Sequence, residues 1–197
     1  SLYADAALNA MVTHNAYGNT AACVAFVDML WQLLDMRAAP SPDWWLESFV
    51  SVARELEGET SYVPGMPGVA GYRGPLWRFA EMMCLGAFET HAPVVEACNH
   101  WGSGASLLET VPSVLYILSL YGHDPEAAIV RAVNDTKDND TVAAIVGAAV
   151  GALHGLAGLP SRWVRDLDGR IRKGGRSAVF RLTLQAKQAF WLQHSPQ

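Results

Sequence analysis

The stretch that most constrains the fold of this chain is a run of twelve residues, 142–153, that contains no polar side chain. A helix that is apolar around its whole circumference either spans a membrane or lies at the centre of a helical bundle. Twelve residues fall well short of the roughly 20 that a membrane span requires, and an acidic cluster and His154 flank the run. The run therefore predicts a buried central helix over residues 141–155 and no membrane association.

Glycines recur every four residues along this predicted helix, at Gly147, Gly151 and Gly155. Residues at this spacing lie on the same face of a helix. Each glycine costs about 1 kcal/mol relative to alanine inside a helix, so three of them need a packing reason. The spacing predicts a smooth strip that the backbone of another helix approaches closely.

The rest of the chain also has a helical pattern, with apolar residues at three- and four-residue steps. Helix-start signals occur at Asn19, at Ser41-Pro42-Asp43 and at Asp124-Pro125, whereas sustained alternation and Asn-Gly turns are absent. The predicted helices are 19–35, 42–56, 76–88, 93–100, 106–121, 125–133, 141–155, 161–166 and 177–193. We expect an all-α fold, a compact orthogonal multi-helix bundle formed by a single domain over residues 1–197.

A loop rich in glycine and proline interrupts the helices between residues 58 and 75. Such a loop serves either as a lid over a site or as an irregular connector. The residues by themselves do not choose between these two readings.

Composition restricts the class of protein. Hydrophobic residues make up 51% of the chain and charged residues 17%, which excludes a disordered chain. The cysteines Cys23, Cys84 and Cys98 are far apart and form no CxxC pair, so they predict buried thiols in a reducing compartment. We therefore expect a cytoplasmic protein.

Charge is unevenly distributed along the chain. Residues 1–160 carry 6 Lys or Arg against 17 Asp or Glu, and residues 161–197 carry 8 against 2. A nucleic-acid-binding domain would be more basic overall than a chain of net charge −5. We expect a basic end that pairs with the acidic body, and no nucleic-acid partner.

The segment with the clearest chemistry is Asn134–Thr141, directly before the apolar helix. Asp138, Asp140 and Thr141 place two carboxylates and a hydroxyl at positions i, i+2 and i+3, where they can converge on one hard cation such as Mg²⁺ or Mn²⁺. Alternatively, the two aspartates cap the helix and interact with its dipole. One aspartate suffices as a cap, so the second favours the metal site.

Several segments together resemble one known family, the ADP-ribosylglycohydrolases, and the resemblance covers most of residues 5–170. Its specific part is Asp138–Gly155, which is similar to the DxDT–AAIxGAxxGAxxG signature of that family. Weaker similarities lie at Thr13-His14-Asn15, at Gly102-Ser103-Gly104 followed by Glu109–Tyr116, and at Pro160–Trp163.

The resemblance implies a hydrolase that cleaves the glycosidic bond between ADP-ribose and an acceptor such as a protein side chain. Asp138, Asp140 and Thr141 would be ligands of a centre of two Mg²⁺ or Mn²⁺ ions, with Asp140 bridging them and the ions orienting the ribose. A glutamate would act as acid and base while water replaces the acceptor. The expected contacts to ADP-ribose are His14, Asn15, Gly102, Ser103 and Gly104.

The residues also allow other roles for these segments. The glycine-rich turn at Gly102–Gly104 can present backbone N–H groups to a phosphate at a helix start, although such turns are common. His14 is equally well a structural histidine followed by Asn15 as a cap. His154 on the apolar helix is typical of a core histidine with its hydrogen bonds satisfied, and the tryptophans are typical of a core: Trp31, Trp44, Trp45 and Trp77.

One part of the family pattern is missing. The family carries a Thr-Asp-Asp ligand motif and the acid/base glutamate in an N-terminal part, and neither is recognisable here. The chain opens on Ser1 within an amphipathic pattern, so the resemblance implies a C-terminal part whose partner is the N-terminal fragment of the same polypeptide. The catalytic residue of this chain is therefore unknown. The alternative is a catalytically incomplete module that binds ADP-ribose or a nucleotide on the same scaffold.

A second all-α class, the prenyl-diphosphate and terpene synthases, also uses acidic motifs. Asn134–Asp138 superficially matches [DN]DxxD, but residues 1–133 contain no second acidic motif for a facing helix.

Overall fold

A computed structural model describes residues 1–165 and 178–189. Within these ranges the secondary structure is helical apart from one isolated antiparallel bridge between Tyr62 and Gly74. The all-α prediction is therefore confirmed. The chain divides into two compact units, Ser1–Gly158 and Leu159–Gln197, and the expectation of a single domain stays a prediction.

The helices of the first unit are α1 (Leu2–Thr13), α2 (Tyr17–Asp35), α3 (Pro42–Glu57), α4 (Leu76–Glu89), α5 (Val94–Trp101), α6 (Leu107–Tyr121), α7 (Pro125–Asn134) and α8 (Asn139–His154). Short 3-10 helices cover Pro67–Val69 and Leu156–Gly158. In the second unit residues 161–165 are helical, and α9 covers Ala178–Lys187. The predicted helices lie within a few residues of these bounds. The predicted helical residues 166, 177 and 190–193 lie outside the described residues.

The start signals differ in how well they locate the helices. Asp124 is the N-cap of α7, where its carboxylate accepts a 3.0 Å bond from the Ala127 N–H and Pro125 takes the first helical position. Ser41 precedes α3 as predicted, but its side chain makes no capping bond. Asn19 is not a cap, because α2 already begins at Tyr17.

The helix at the centre of the first unit is α6. It packs against α3, α4, α5, α7 and α8, and its side chains are buried on all faces from Thr110 through Ser119. Large apolar residues supply this burial, among them Val114, Leu115 and Ile117 with no exposed surface. A hydroxyl completes the packing, since the Trp101 indole N–H donates to the Ser113 Oγ at 2.9 Å.

The prediction that the glycine-rich helix is the buried central one is wrong for the described part of the chain. In α8 only one face is buried, formed by Val142, Val146, Ala149 and Val150. Among the described residues, no neighbouring atom lies within 4 Å of a Cβ built at Gly147, Gly151 or Gly155, so no helix approaches the glycine strip. The physical reason is that an apolar run predicts at least one buried face, not burial of all of them.

The structure also tests the predictions made for individual cysteine, histidine and tryptophan side chains. Cys84 and Cys98 are buried free thiols as expected, and Cys23 is half-buried. His154 is a satisfied histidine, with Nε2 2.8 Å from the Gly122 carbonyl oxygen. Trp45 is buried, whereas Trp31 is 57% exposed, so its assignment to the core is wrong.

Trp44 and Trp77 are partly buried against the core, as expected for core tryptophans. No helix of the described residues is long and apolar enough to cross a membrane. The expected pairing of the basic end with the acidic body falls largely on residues outside the described ranges.

Candidate metal and ligand site

The candidate metal ligands lie at the start of α8. Asp138 occupies the N-cap position, but its side chain makes no capping hydrogen bond. Asp140 and Thr141 follow in the first turn, with exposed side chains. Across residues 1–165 and 178–189, no hydrogen bond or ion pair engages the Asp138 or Asp140 carboxylate. The capping half of the alternative is therefore absent, whereas the interaction with the helix dipole remains open, because both aspartates lie at the start of α8.

A second candidate segment is bonded directly to this turn. Ser103 is 1% exposed, and its carbonyl oxygen accepts from the Asp138 N–H at 2.8 Å. Its hydroxyl accepts from the Lys137 N–H at 3.0 Å. These two bonds place the backbone of Gly102–Gly104 beside Asp138, although 34 residues separate Ser103 from Lys137. The structure thus brings together two of the three predicted segments.

Local contacts hold the Gly102–Gly104 turn in shape. Gly102 has φ +82°, which favours glycine, and a Cβ there would lie 2.9 Å from both Glu109 and Met66. The Gly104 N–H donates to Glu109 Oε2 at 2.7 Å, and the Thr110 hydroxyl donates to the Gly104 carbonyl at 3.0 Å. The Gly104 N–H is therefore already engaged and is not a free donor for a phosphate.

Two other polar side chains of the loop before α8 have structural partners. Asp135 forms an ion pair with Arg131 at 3.1 Å, and the Thr136 hydroxyl donates to the Ala132 carbonyl. These contacts stabilise the end of α7. They leave Asp138 and Asp140 as the carboxylates of this loop that no described side chain engages.

The third predicted segment lies elsewhere. His14 follows the last residue of α1, is exposed, and has its Nδ1 3.0 Å from the Thr13 hydroxyl. Asn15 is exposed and does not cap α2, whose N-cap position is Ala16. No described hydrogen bond or ion pair joins His14 or Asn15 to the Asp138 turn. Their assignment to ADP-ribose stays a prediction.

The donor atoms at the start of α8 suit a hard divalent cation, because they are all oxygens. Two carboxylates and a hydroxyl supply fewer ligands than the octahedral shell that Mg²⁺ prefers. Among the described residues, no group of three or more His, Cys, Asp and Glu side chains is placed to hold a metal ion. The segment therefore fits part of a metal shell.

Sequence reasoning named Ser103 and Glu109 but missed the hydrogen bonds through which they shape this site. Glu109 stands three residues after Ser106, the spacing of a capping box, and that signal was present in the sequence. Its carboxylate reaches back beyond Ser106 to Gly104. The bonds from Ser103 to Lys137 and Asp138 have no sequence signal, since they join distant segments.

The acidic helix start and the glycine turn both lie within residues that match one family by sequence. The sequence profile of the ADP-ribosylglycohydrolase family matches residues 1–193, and the chain belongs to that family. It is 24% identical over 177 residues to the human ADP-ribosylhydrolase ARH3, covering 83% of this chain and 47% of that protein.

A second relative is the uncharacterized protein YegU of Escherichia coli K12. It is 34% identical over 67 residues, which cover 34% of this chain and 20% of YegU. The chain therefore spans less than half the length of the two curated relatives it matches. No solved structure matches the chain significantly.

Proposed function

We propose that this protein takes part in hydrolysis of the glycosidic bond between ADP-ribose and an acceptor such as a protein side chain. The observation that carries the proposal is the start of α8, where Asp138 stands at the N-cap position without a capping bond beside the bonded Ser103 turn. Helix caps normally use the side chain at this position. A carboxylate left free there, with Asp140 two residues on, is available to a cation.

Asp138, Asp140 and Thr141 would hold part of a centre of two Mg²⁺ or Mn²⁺ ions, with Asp140 bridging them. Ions of this kind act as Lewis acids and as templates that orient the ribose hydroxyls beside the scissile bond. The contribution of this chain is to hold that site rigidly. Ser103 does so through its bonds to the backbone of Lys137 and Asp138.

We further propose that a separate stretch of polypeptide, an N-terminal fragment of the same protein, completes the metal shell and supplies the acid/base glutamate. Two observations support this. The described residues offer fewer ligands than an octahedral shell needs, and the chain spans 47% of the length of ARH3. The open glycine strip of α8 is the surface against which such a segment would pack.

Release of ADP-ribose from an ADP-ribosylated peptide tests the proposal, with Mg²⁺ or Mn²⁺ present. We expect release by the full native polypeptide and little by residues 1–197 alone. Asp140→Ala should lower kcat/KM more than about 100-fold, because loss of an outer-shell partner alone costs about 10–100-fold. Asp135→Ala is the matched control, since that carboxylate pairs with Arg131.

Metal binding provides a second readout. A rise in melting temperature with Mn²⁺ should disappear in Asp140→Ala and be reduced less in Asp138→Ala. A rise that survives Asp140→Ala would exclude the bridging role. Tight binding of ADP-ribose with no release of it from the peptide by the full polypeptide would contradict the hydrolase and favour the alternative, a catalytically incomplete binding module.

A further inference from the structure

The loop between α3 and α4 is tied at its base to one buried carboxylate. Glu57, the last residue of α3, is 1% exposed. Its Oε1 accepts from the Leu76 N–H at 2.6 Å and its Oε2 from the Trp77 N–H at 3.1 Å, while the Thr60 hydroxyl also donates to Oε1. Glu57 therefore caps the start of α4 from the end of the preceding helix, α3. Its bonds to Thr60 and to Leu76 hold both ends of the loop between these helices together.

Two further contacts close the base of the loop. Tyr62 and Gly74 exchange backbone hydrogen bonds of 2.8 and 3.2 Å. The Tyr72 hydroxyl donates to the Pro75 carbonyl oxygen. Burial, together with the negative charge of Glu57, raises the pKa of Tyr62 above its ordinary value. The segment 62–74 is thus a closed loop with a fixed base.

Burial of Glu57 has an energetic cost that its environment offsets only by hydrogen bonds. No Lys, Arg or His forms an ion pair with it among the described residues. A buried carboxylate without a cation is strongly destabilising unless its oxygens are fully bonded. Glu57 is therefore sensitive to the loss of any of its three donors.

The loop touches the start of α2 and one of the segments predicted to bind ligand, the Gly102–Gly104 turn. At its base the Tyr62 ring lies against Gly18, three residues after Asn15, so that a Cβ at Gly18 would be 2.5 Å from the Tyr62 hydroxyl oxygen. Farther along the loop, Met66 lies against Gly102. One loop thus contacts both the start of α2 and the turn that is bonded to Asp138.

We propose that the loop 62–74 forms a wall of the ADP-ribose site, and that Glu57 is a positioning residue that sets the start of α2 and the Gly102–Gly104 turn relative to each other. This inference rests on the proposed function for the identity of the ligand. The carboxylate acts through the loop and does not touch the ligand. A neutral amide at position 57 turns an N–H group toward backbone N–H donors, which releases the base of the loop.

Glu57→Gln tests the positioning role in two measurements on the protein. Hydrogen exchange without ligand should accelerate at residues 16–18 and at residues 102–104. The Kd of ADP-ribose should rise about 10-fold, which corresponds to the loss of one hydrogen bond. Glu55→Gln is the matched control, because Glu55 is exposed on the same helix and the chemical change is identical.

Two milder variants test the two contacts of the loop separately, and they keep the test valid if Glu57→Gln does not fold. Met66→Ala should loosen residues 102–104 alone, and Gly18→Ala should displace the Tyr62 ring and loosen residues 16–18 alone. A purely stabilising Glu57 would lower the melting temperature and leave both the exchange pattern and the Kd of the folded protein unchanged, which would overturn the proposal.

The outcomes also distinguish this inference from the proposed function. Faster exchange at both segments with an unchanged Kd would show that the loop positions them but does not wall the ligand site, and would overturn that part. A wild-type protein that fails to bind ADP-ribose would refute the proposed ligand, while the exchange pattern would still decide the role of Glu57.

Discussion

Two helices of the first unit, α6 and α8, have similar apolar character and very different surroundings. In α6 the side chains are buried on every face from Thr110 to Ser119, and five other helices pack against it. In α8 four residues are buried on one face, while Ala144 and Ala148 are exposed, as is the C-cap residue Gly155. The central helix of the bundle is the one with large side chains.

This difference shows that the apolar composition of a helix predicts one buried face but does not predict whether the opposite face is also buried. Alanine and glycine expose little apolar surface, so a face made of them costs little when water covers it. The same face permits a close approach when another helix covers it. Valine, leucine and isoleucine favour burial much more strongly, because each buried side chain contributes about 1.5–3 kcal/mol.

The largest expected effect is in the middle of α6. Leu115→Ala removes a side chain with no exposed surface and leaves a cavity, so the free energy of unfolding should fall by about 2–5 kcal/mol. Ile145→Ala on the flank of α8, where burial is partial, is the matched control and should cost less. Urea denaturation measures both. Equal losses would mean that α8 is as enclosed as α6.

A smaller effect concerns the thiols around α6. The Cys98 thiol lies 3.6 Å from the Ser113 Oγ, and burial raises its pKa to about 11. Since the raised pKa favours the neutral thiol in the folded state, its stabilisation is complete below pH 9 and is lost as the pH rises through 11. The free energy of unfolding should drop by about 2 kcal/mol between pH 9 and pH 11.

Cys98→Ala supplies the comparison for this pH dependence. The variant should be less stable at pH 8 but should lose less stability on the way to pH 11, as urea unfolding at each pH would reveal. Parallel curves for the two proteins would contradict the assignment to Cys98. Cys84, also buried, is the other thiol in contact with α6, and burial raises its pKa as well. Together with the tyrosines whose pKa values are raised, Tyr62, Tyr72 and Tyr116, it contributes to the slope that remains in Cys98→Ala.

The smallest expected effect tests directly whether the glycine face of α8 is open. Gly151→Ala adds a methyl group where no described atom lies within 4 Å, and alanine favours helix. The free energy of unfolding of residues 1–197 should therefore rise by about 0.5–1 kcal/mol. In the full native polypeptide the sign should reverse if a further segment packs on the strip. A loss of stability in residues 1–197 would mean that this face is already covered.

The helical periodicity and the caps were readable from the chain because they are local properties. Asp124 and Pro125 located the start of α7, and the family pattern at Asp138–Gly155 located the acidic helix start. The profile match over residues 1–193 confirms the family that this pattern indicated. Asn19 failed as a start signal because α2 already begins at Tyr17, after an N-cap residue, Ala16, that makes no side-chain bond.

What the sequence by itself determined is the all-α class, the family and the acidic segment, since each follows from residues near one another in the chain. The tertiary structure alone decided that α6 and not α8 is central, that Ser103 joins the Asp138 turn, and that Glu57 ties the loop 62–74. These facts depend on contacts between residues that are far apart in the chain, for example 19 positions for Glu57 and Leu76 and 34 positions for Ser103 and Lys137. Such contacts are set by the packing of whole helices.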